Sequence, residues 1–259
     1  MLRRLIHSAR RQDWFAVVVE LVVVVLGIFI GMQVTNWNED RKLARQALEY
    51  RQSLEADFAA DELSMRGHAA YFEVVSAYGR QALDLLERPR KVTDPSEAAQ
   101  LVTAFMIASS VWEYRQPRPT YDDLKSTGNL PLLGDTAFRV SLINYYTGID
   151  SASVQLDVVT GYRQHVRSII PAAAQVLIRA ECEQVASGDR LGLVMKPHCD
   201  PDLTRWDPLA VLAEIVQSPG IKGDLTLWMS QLGLKIQLFK LEADNAAAMR
   251  AKLTAPAQR

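Results

Sequence analysis

The chain has 259 residues and a formal net charge of −1, with 29 lysines and arginines against 30 aspartates and glutamates. This balance excludes the strongly basic surface that is typical of nucleic-acid-binding proteins, so we expect no nucleic-acid partner. The chain is long enough for one substantial domain with its own core in addition to a short N-terminal segment.

Residues 15–34, FAVVVELVVVVLGIFIGMQV, form a nearly uninterrupted apolar stretch. About twenty helical residues span roughly 30 Å, which is the thickness of the hydrocarbon core of a bilayer. Trp14 and Trp37 flank the stretch, and tryptophan is enriched at the depth of the lipid headgroups. We therefore predict a transmembrane helix over residues 14–37 that anchors the chain in a lipid bilayer.

Two other kinds of segment share this composition. A buried helix of a soluble protein is one, but such helices are rarely this long and this apolar. A cleaved signal peptide is the other, and the basic residues at the start of the chain would suit it. Residues 31–37, GMQVTNW, contain no small-residue cleavage motif, so the sequence favours an uncleaved anchor.

The charges beside the anchor do not set its orientation, because each flank carries four basic residues. A short basic tail is easily retained in the cytoplasm, and a large C-terminal domain translocates largely regardless of its charge. We therefore predict a cytoplasmic tail over residues 1–13 and a periplasmic domain over residues 38–259.

Glu20, Gly27 and Gly31 share one face of the predicted membrane helix, because a helix turns by about 100° per residue. Asn38 returns to the same direction. Small residues let two helices approach closely, and a carboxylate in lipid normally faces protein or water. We expect this face to contact a second helix, in another copy of the chain or in another membrane protein. The alternative is that Glu20 is hydrated near the membrane surface marked by Trp14.

The stretch from Glu20 to Glu39, ELVVVVLGIFIGMQVTNWNE, resembles the N-terminal signature of a bacterial family of single-pass membrane proteins of unknown function. In that signature an acidic residue begins the run, a glycine pair lies within it and QVNNWNE ends it; here Thr35 replaces the first Asn. Residues 120–130, TYDDLKSTGNL, also resemble a pattern of the family. The resemblance implies a helical protein anchored in the bacterial inner membrane, and it implies no activity.

Beyond the anchor, apolar positions over residues 41–86 recur at steps of three, four and seven, which predicts one long helix continuing from the membrane. Gly67 and Gly79 are the positions where it would bend most easily. Shorter helices are predicted over residues 97–107, from Thr120 to a stop before Gly128, and over 208–217.

A second long helix is predicted over residues 135–187, with a kink at Pro171, and a final helix runs from Pro219 to about Leu253. Residues 188–206 are expected to be irregular, and no segment shows strand alternation between hairpin turns. The predicted fold class is all-α, with one N-terminal transmembrane helix that continues into an antiparallel bundle of long helices.

The common catalytic and nucleotide-binding motifs are absent from the sequence, and no cysteine and histidine spacing matches a common zinc site. We therefore expect no enzymatic activity, no cofactor and no bound metal. Asp57, Asp61 and Glu62 lie close together on the first long helix, where a solvated helix face is their expected role.

Residues 112–121, WEYRQPRPTY, alternate aromatic side chains with two arginines beside two prolines. Arg115, Arg118 and Tyr121 form a candidate binding site for a small anionic ligand, because arginine suits carboxylate and phosphate groups. Lys125 is close enough in sequence to join them. The alternative is a loop whose aromatic rings close the end of the bundle while its arginines face water.

Cys182 and Cys199 are the only cysteines, and a single pair suits one disulfide in an oxidising compartment. Two independent reduced thiols are the alternative.

These features together predict a non-enzymatic, membrane-anchored protein whose periplasmic helical domain acts as an oligomerising scaffold or binds a partner. The alternative function is that of a sensor-like periplasmic domain that binds a small anionic ligand.

Overall fold

The computed structural model describes residues 13–134, 136–156, 161–186 and 192–254. The predicted tail over residues 1–13 lies outside this part of the chain, apart from the backbone of Asp13. Within the described residues the chain forms eight α-helices, two short 3-10 helices and one two-stranded sheet. The structure is therefore mostly helical, which confirms the all-α class at this level.

Helix α1 runs without interruption from Asp13 to Glu87, so a single helix of about 110 Å contains both the apolar stretch and the first helix of the domain. Neither Gly67 nor Gly79 interrupts it. It is the one helix in the described part of the chain that is long and apolar enough to cross a membrane. Residues 17–34, the described side chains of its apolar stretch, are all exposed. Full burial begins only at Leu54.

The remaining elements follow in chain order. The helices are α2 (Pro95–Ala108), α3 (Pro119–Ser126), α4 (Thr136–Leu156), α5 (Gly161–Ile169), α6 (Ala172–Cys182), α7 (Pro208–Gln217) and α8 (Ile221–Thr254). The 3-10 helices cover Leu130–Leu133 and Thr204–Trp206. Strands β1 (Glu183–Ala186) and β2 (Gly192–Met195) pair antiparallel, with Glu183 opposite Met195.

The prediction of one long helix over residues 135–187 is wrong, because α4, α5, α6 and β1 share this range. Helix α5 ends at Ile169 and α6 begins at Ala172, since the ring of Pro171 removes a hydrogen bond and clashes with the preceding turn. Residues 157–160 lie outside the described part of the chain.

The expectation that the chain forms no strand is also wrong. Each strand has only four residues, EQVA and GLVM, which is too short for alternation to show in the sequence. A disulfide between Cys182 and Cys199 lies beside the strand pair, and the N–H of Lys196 donates to the carbonyl oxygen of Cys182 at 2.9 Å. The strand pair is thus attached to the end of α6.

Helix α8 packs along α1 in the antiparallel sense. The residue numbers of the contact partners on α8 decrease as those on α1 increase, as in the pairs Arg51–Leu253, Arg66–Asp244, Phe72–Phe239 and Gly79–Met229. Near the far end of α1 the two helices approach closely at Gly79, where a Cβ atom would lie only 2.2 Å from Sδ of Met229.

Helix α2 is the most deeply enclosed of these packed elements, with ten of its fourteen residues buried. The hydroxyl of Tyr162 on α5 donates to the carbonyl oxygen of Phe105 at 2.9 Å, and Nε1 of Trp228 on α8 donates to that of Ala108 at 2.6 Å. These bonds satisfy carbonyl groups of the last turn of α2, which would otherwise lack partners. They also hold α5 and α8 against the C-terminal end of α2.

Candidate functional site

The polar and small residues of the apolar stretch lie on the exposed part of α1. Glu20 and Asn38 have exposed side chains. A Cβ atom added at Gly27 or Gly31 would meet no atom within 4 Å. The described residues of the chain therefore leave this face of α1 open to a second helix.

The loop residues chosen from the sequence do not converge on one cavity. Nη1 of Arg118 contacts both carboxylate oxygens of Asp150, at 3.0 and 2.9 Å, and its Nε lies 3.3 Å from the carboxylate of Asp122. The positive charge of Arg118 is therefore already compensated by two acidic side chains.

Tyr121 and Lys125 do not line the same groove as the two arginines. Tyr121 is buried, and its ring stacks on that of Tyr146 with the centroids 4.3 Å apart. Lys125 is exposed. An open groove of about 700 Å³ is lined by residues 113–118 with Ile149, Asp150 and Ser153, and neither Tyr121 nor Lys125 contributes to it. The loop thus has two parts. One part lines a groove in which Arg118 is already paired with acidic side chains, and the other part packs its aromatic rings into the core.

The expected solvated face of the first long helix is wrong for Asp61, which is buried. Its carboxylate accepts hydrogen bonds from Nε2 of Gln116 at 2.6 Å and from the hydroxyl of Tyr145 at 3.2 Å. Burial and the nearby charge of Asp61 raise the pKa of Tyr145, so its phenol stays protonated and can donate. Asp61 therefore attaches the 112–121 loop and α4 to α1.

His165 lies between an acidic and a hydroxyl side chain, as the histidine of a hydrolase triad does. Its Nδ1 is 2.7 Å from Oδ2 of Asp224, and its Nε2 is 2.7 Å from Oγ of Ser218. A triad also needs backbone N–H donors for the oxyanion, usually those of the nucleophile or of the residue after it. Here the N–H of Ser218 already donates to the carbonyl oxygen of Ile215 at 3.1 Å, and Pro219 has no N–H.

The arrangement around His165 therefore lacks the two donors that would stabilise an acyl-transfer intermediate. It joins α5 to the turn between α7 and α8, and we interpret it as a structural connection between these helices.

Three arginines missed by the sequence reasoning cluster next to the C-terminal end of α2. Arg163 and Arg167 lie one turn apart on α5, and Arg179 lies on α6. Nη1 of Arg163 donates to the carbonyl oxygen of Ser109 at 2.8 Å, and Nε of Arg167 donates to Oγ of Ser109 at 2.8 Å. The spacing of Arg163 and Arg167 was visible in the sequence, but the approach of Arg179 depends on the break at Pro171.

Burial first, and then repulsion from Arg163 and Arg179, together lower the pKa of Arg167 to about 10. Burial, followed by the charge of Arg179, likewise lowers the pKa of Arg163. The nearest acidic group that opposes these shifts is Glu183, whose carboxylate accepts a hydrogen bond from the hydroxyl of Tyr71 at 2.9 Å. The cluster therefore carries an excess of positive charge in a partly buried place.

Comparison with known proteins gives no match to the chain among protein families, curated proteins or solved structures.

Proposed function

We propose that this protein is a single-pass, non-enzymatic protein of the bacterial inner membrane that presents its helical domain in the periplasm and assembles through its membrane helix. The observation that carries this proposal is the continuity of α1. Residues 17–34 of this helix have no buried side chain, yet from Leu54 onward the same helix forms part of the core of the domain.

A bilayer accounts for the exposed apolar half of α1. In water, contiguous apolar patches larger than a few hundred Å² mark membrane or protein contact sites. Trp37 lies at the end of the apolar stretch, and the guanidinium of Arg41 lies 4.0 Å from the centre of its ring. An aromatic ring beside a cationic side chain is the composition expected at the level of the headgroups.

The periplasmic location is supported by the disulfide between Cys182 and Cys199, because such bonds persist in oxidising compartments and are rare in the cytoplasm. Protease added to spheroplasts tests this orientation. It should degrade residues 38–259 while the membrane is intact, and protection of the domain until the membrane is lysed would contradict the proposal.

Self-association is supported by the open face of Glu20, Gly27 and Gly31, since glycines let helix backbones approach and a carboxylate in lipid requires a polar partner. The full chain should form crosslinked oligomers in membranes. Replacing Gly27 and Gly31 together by leucine should reduce that crosslinking, because two bulky side chains would keep the helices apart.

Val22→Leu with Phe29→Leu is the matched control, since both residues lie on the opposite face of the helix. Crosslinking that is equally strong in the glycine variant and in the control would rule out assembly through this face. Copurification of a different membrane protein, lost only in the glycine variant, would assign the face to a heterologous partner.

A sensor-like function remains the second candidate, and one observation favours it. The excess positive charge that such a site needs occurs at Arg163, Arg167 and Arg179 rather than around Arg118, which is paired with Asp150.

A further inference from the structure

The three-arginine cluster brings three like charges together without an acidic partner at contact distance among the described residues. Within the described part of the chain, ion pairs with N–O distances up to 4.0 Å include none of Arg163, Arg167 and Arg179. With Glu183 nearby, the local formal charge is three positive and one negative. An excess of two positive charges is therefore left at this place in the fold.

The guanidinium groups on α5 are held in position before any ligand arrives. Ser109 accepts one hydrogen bond from Arg163 through its carbonyl and one from Arg167 through its hydroxyl. Arginine has five N–H groups, so each of these arginines uses only one of them in these bonds. The C-terminal end of α2 also carries a partial negative charge, which favours cationic groups beside it.

A small cavity lies directly at the cluster. Its volume is about 10 Å³, and Ser110, Arg167, Arg179 and Glu183 contribute the polar part of its lining. This volume has room for roughly one oxygen atom the size of a water molecule. Arg179 is exposed, so the side of the cavity that it lines faces solvent.

We propose that Arg167 and Arg179, with Arg163 behind them, form a binding site for a small tetrahedral oxyanion of the inorganic phosphate or sulfate class. One oxygen of the anion occupies the cavity, and the others lie at its opening within reach of Arg179. A dianion matches the excess of two positive charges, and the planar fork of a guanidinium matches two oxygens of such an anion. Binding would also relieve the repulsion among the three arginines.

The geometry of α1 favours a dissolved anion over a lipid headgroup. Tyr71, which contacts Glu183 at the cluster, lies 34 residues after Trp37. This separation is about 50 Å along the helix, well beyond the headgroup layer. The proposal concerns ligand binding by the domain and is independent of the assembly proposed for the membrane face.

Isothermal titration calorimetry of the full chain in neutral detergent micelles tests the site. Sodium phosphate and sodium sulfate should each give saturable binding, and sodium chloride at the same ionic strength should not. Arg179→Gln should weaken binding by roughly tenfold or more, because it removes a charged donor from the ligand. Glu183→Gln should strengthen it, because it removes the one negative charge at the site while keeping an acceptor for Tyr71.

Arg205→Gln is the matched control, since it removes an exposed arginine outside both the cluster and the groove at residues 113–118, and it should leave binding unchanged. Circular dichroism checks that each variant is folded. The proposal is overturned if neither anion binds more strongly than chloride, or if Arg179→Gln binds as the native chain does. It is also overturned if phosphatidylglycerol added to the micelles displaces phosphate, since the occupant would then be a lipid headgroup.

Discussion

The two halves of α1 have similar helical geometry but opposite relations to the rest of the chain. From Val17 to Val34 every described side chain is exposed, although nearly all are apolar. From Leu54 to Leu86 apolar side chains such as Phe58, Met65 and Phe72 are completely buried. The first half is apolar around its circumference apart from the face of Glu20, whereas the second half has one apolar stripe with charged residues opposite it. The arrangement of apolar residues, more than their number, thus separates a helix that suits lipid from one that suits a protein core.

The largest contrast between the halves is expected from removing one phenylalanine from each. Phe72→Ala should lower the free energy of unfolding of the domain by about 3–5 kcal/mol, since it leaves a cavity beside Phe239. Phe29→Ala, in the apolar half, should leave that free energy unchanged. Denaturant titration of both variants in detergent, followed by circular dichroism, measures this. A comparable loss in Phe29→Ala would show that the halves are energetically coupled.

Loss of the disulfide should have the next largest effect and should also be confined to the domain. Replacing Cys182 and Cys199 by serine should cost about 3 kcal/mol, because the bond closes a loop with a sequence separation of 17. Thermal unfolding of the oxidised native chain and of the double variant measures the difference. The crosslinking proposed for the apolar half of α1 should be the same in both. A loss of crosslinking in the double variant would show that the two halves are not independent.

A glycine in each half gives a smaller and more specific test. A Cβ atom at Gly79 would lie 2.2 Å from Sδ of Met229, whereas one at Gly27 would meet nothing within 4 Å. Gly79→Ala should therefore destabilise the domain by about 1–3 kcal/mol, toward the lower value because the methionine side chain can move. Gly27→Ala should leave domain stability unchanged. Equal melting temperatures for the two variants would mean that α1 and α8 are less closely packed at Gly79 than the structure shows.

The smallest expected effect is a pH dependence that originates in the buried half. Burial lowers the pKa of His68, whose ring stacks on that of Trp112 with the centroids 3.6 Å apart. Below the ordinary histidine pKa of about 6.5, the unfolded chain takes up a proton that the folded chain resists, so stability falls as the pH falls. His68→Gln should flatten this part of the stability profile between pH 7 and pH 5. An unchanged slope would assign the dependence to other groups.

The sequence was sufficient to predict the helices whose pattern is local. The long first helix and the helix over residues 208–217 follow from apolar periodicity, and a proline begins the latter. The final helix begins at Ile221, two residues after the predicted start. The single long helix predicted over residues 135–187 is wrong for a different reason. Pro171 was expected to kink this helix, but it ends one helix and a second begins after it.

Asp61 shows why part of the site could not be predicted. It lies three residues after Phe58 and four before Met65, so its position places it on the buried stripe, but its charge suggested solvent. What allows its burial is Gln116, 55 residues away in the sequence, and no local pattern indicates that partner. The arginine cluster could not be predicted for a similar reason, because the packing of α5 and α6 on α2 brings Arg179 near Arg167.

Because α1 is one uninterrupted helix, a movement at its N-terminal end is transmitted along its whole length. Between Trp37 and Glu87 it extends for about 75 Å. A tilt of about 20°, which is ordinary for a helix in a bilayer, would displace the Glu87 end of the helix sideways by about 25 Å. Rotation of the proposed membrane span would turn the same length with it, because no described loop or hinge interrupts α1. With that span in a bilayer, a small movement of the span would give a larger displacement at the distal end of the domain.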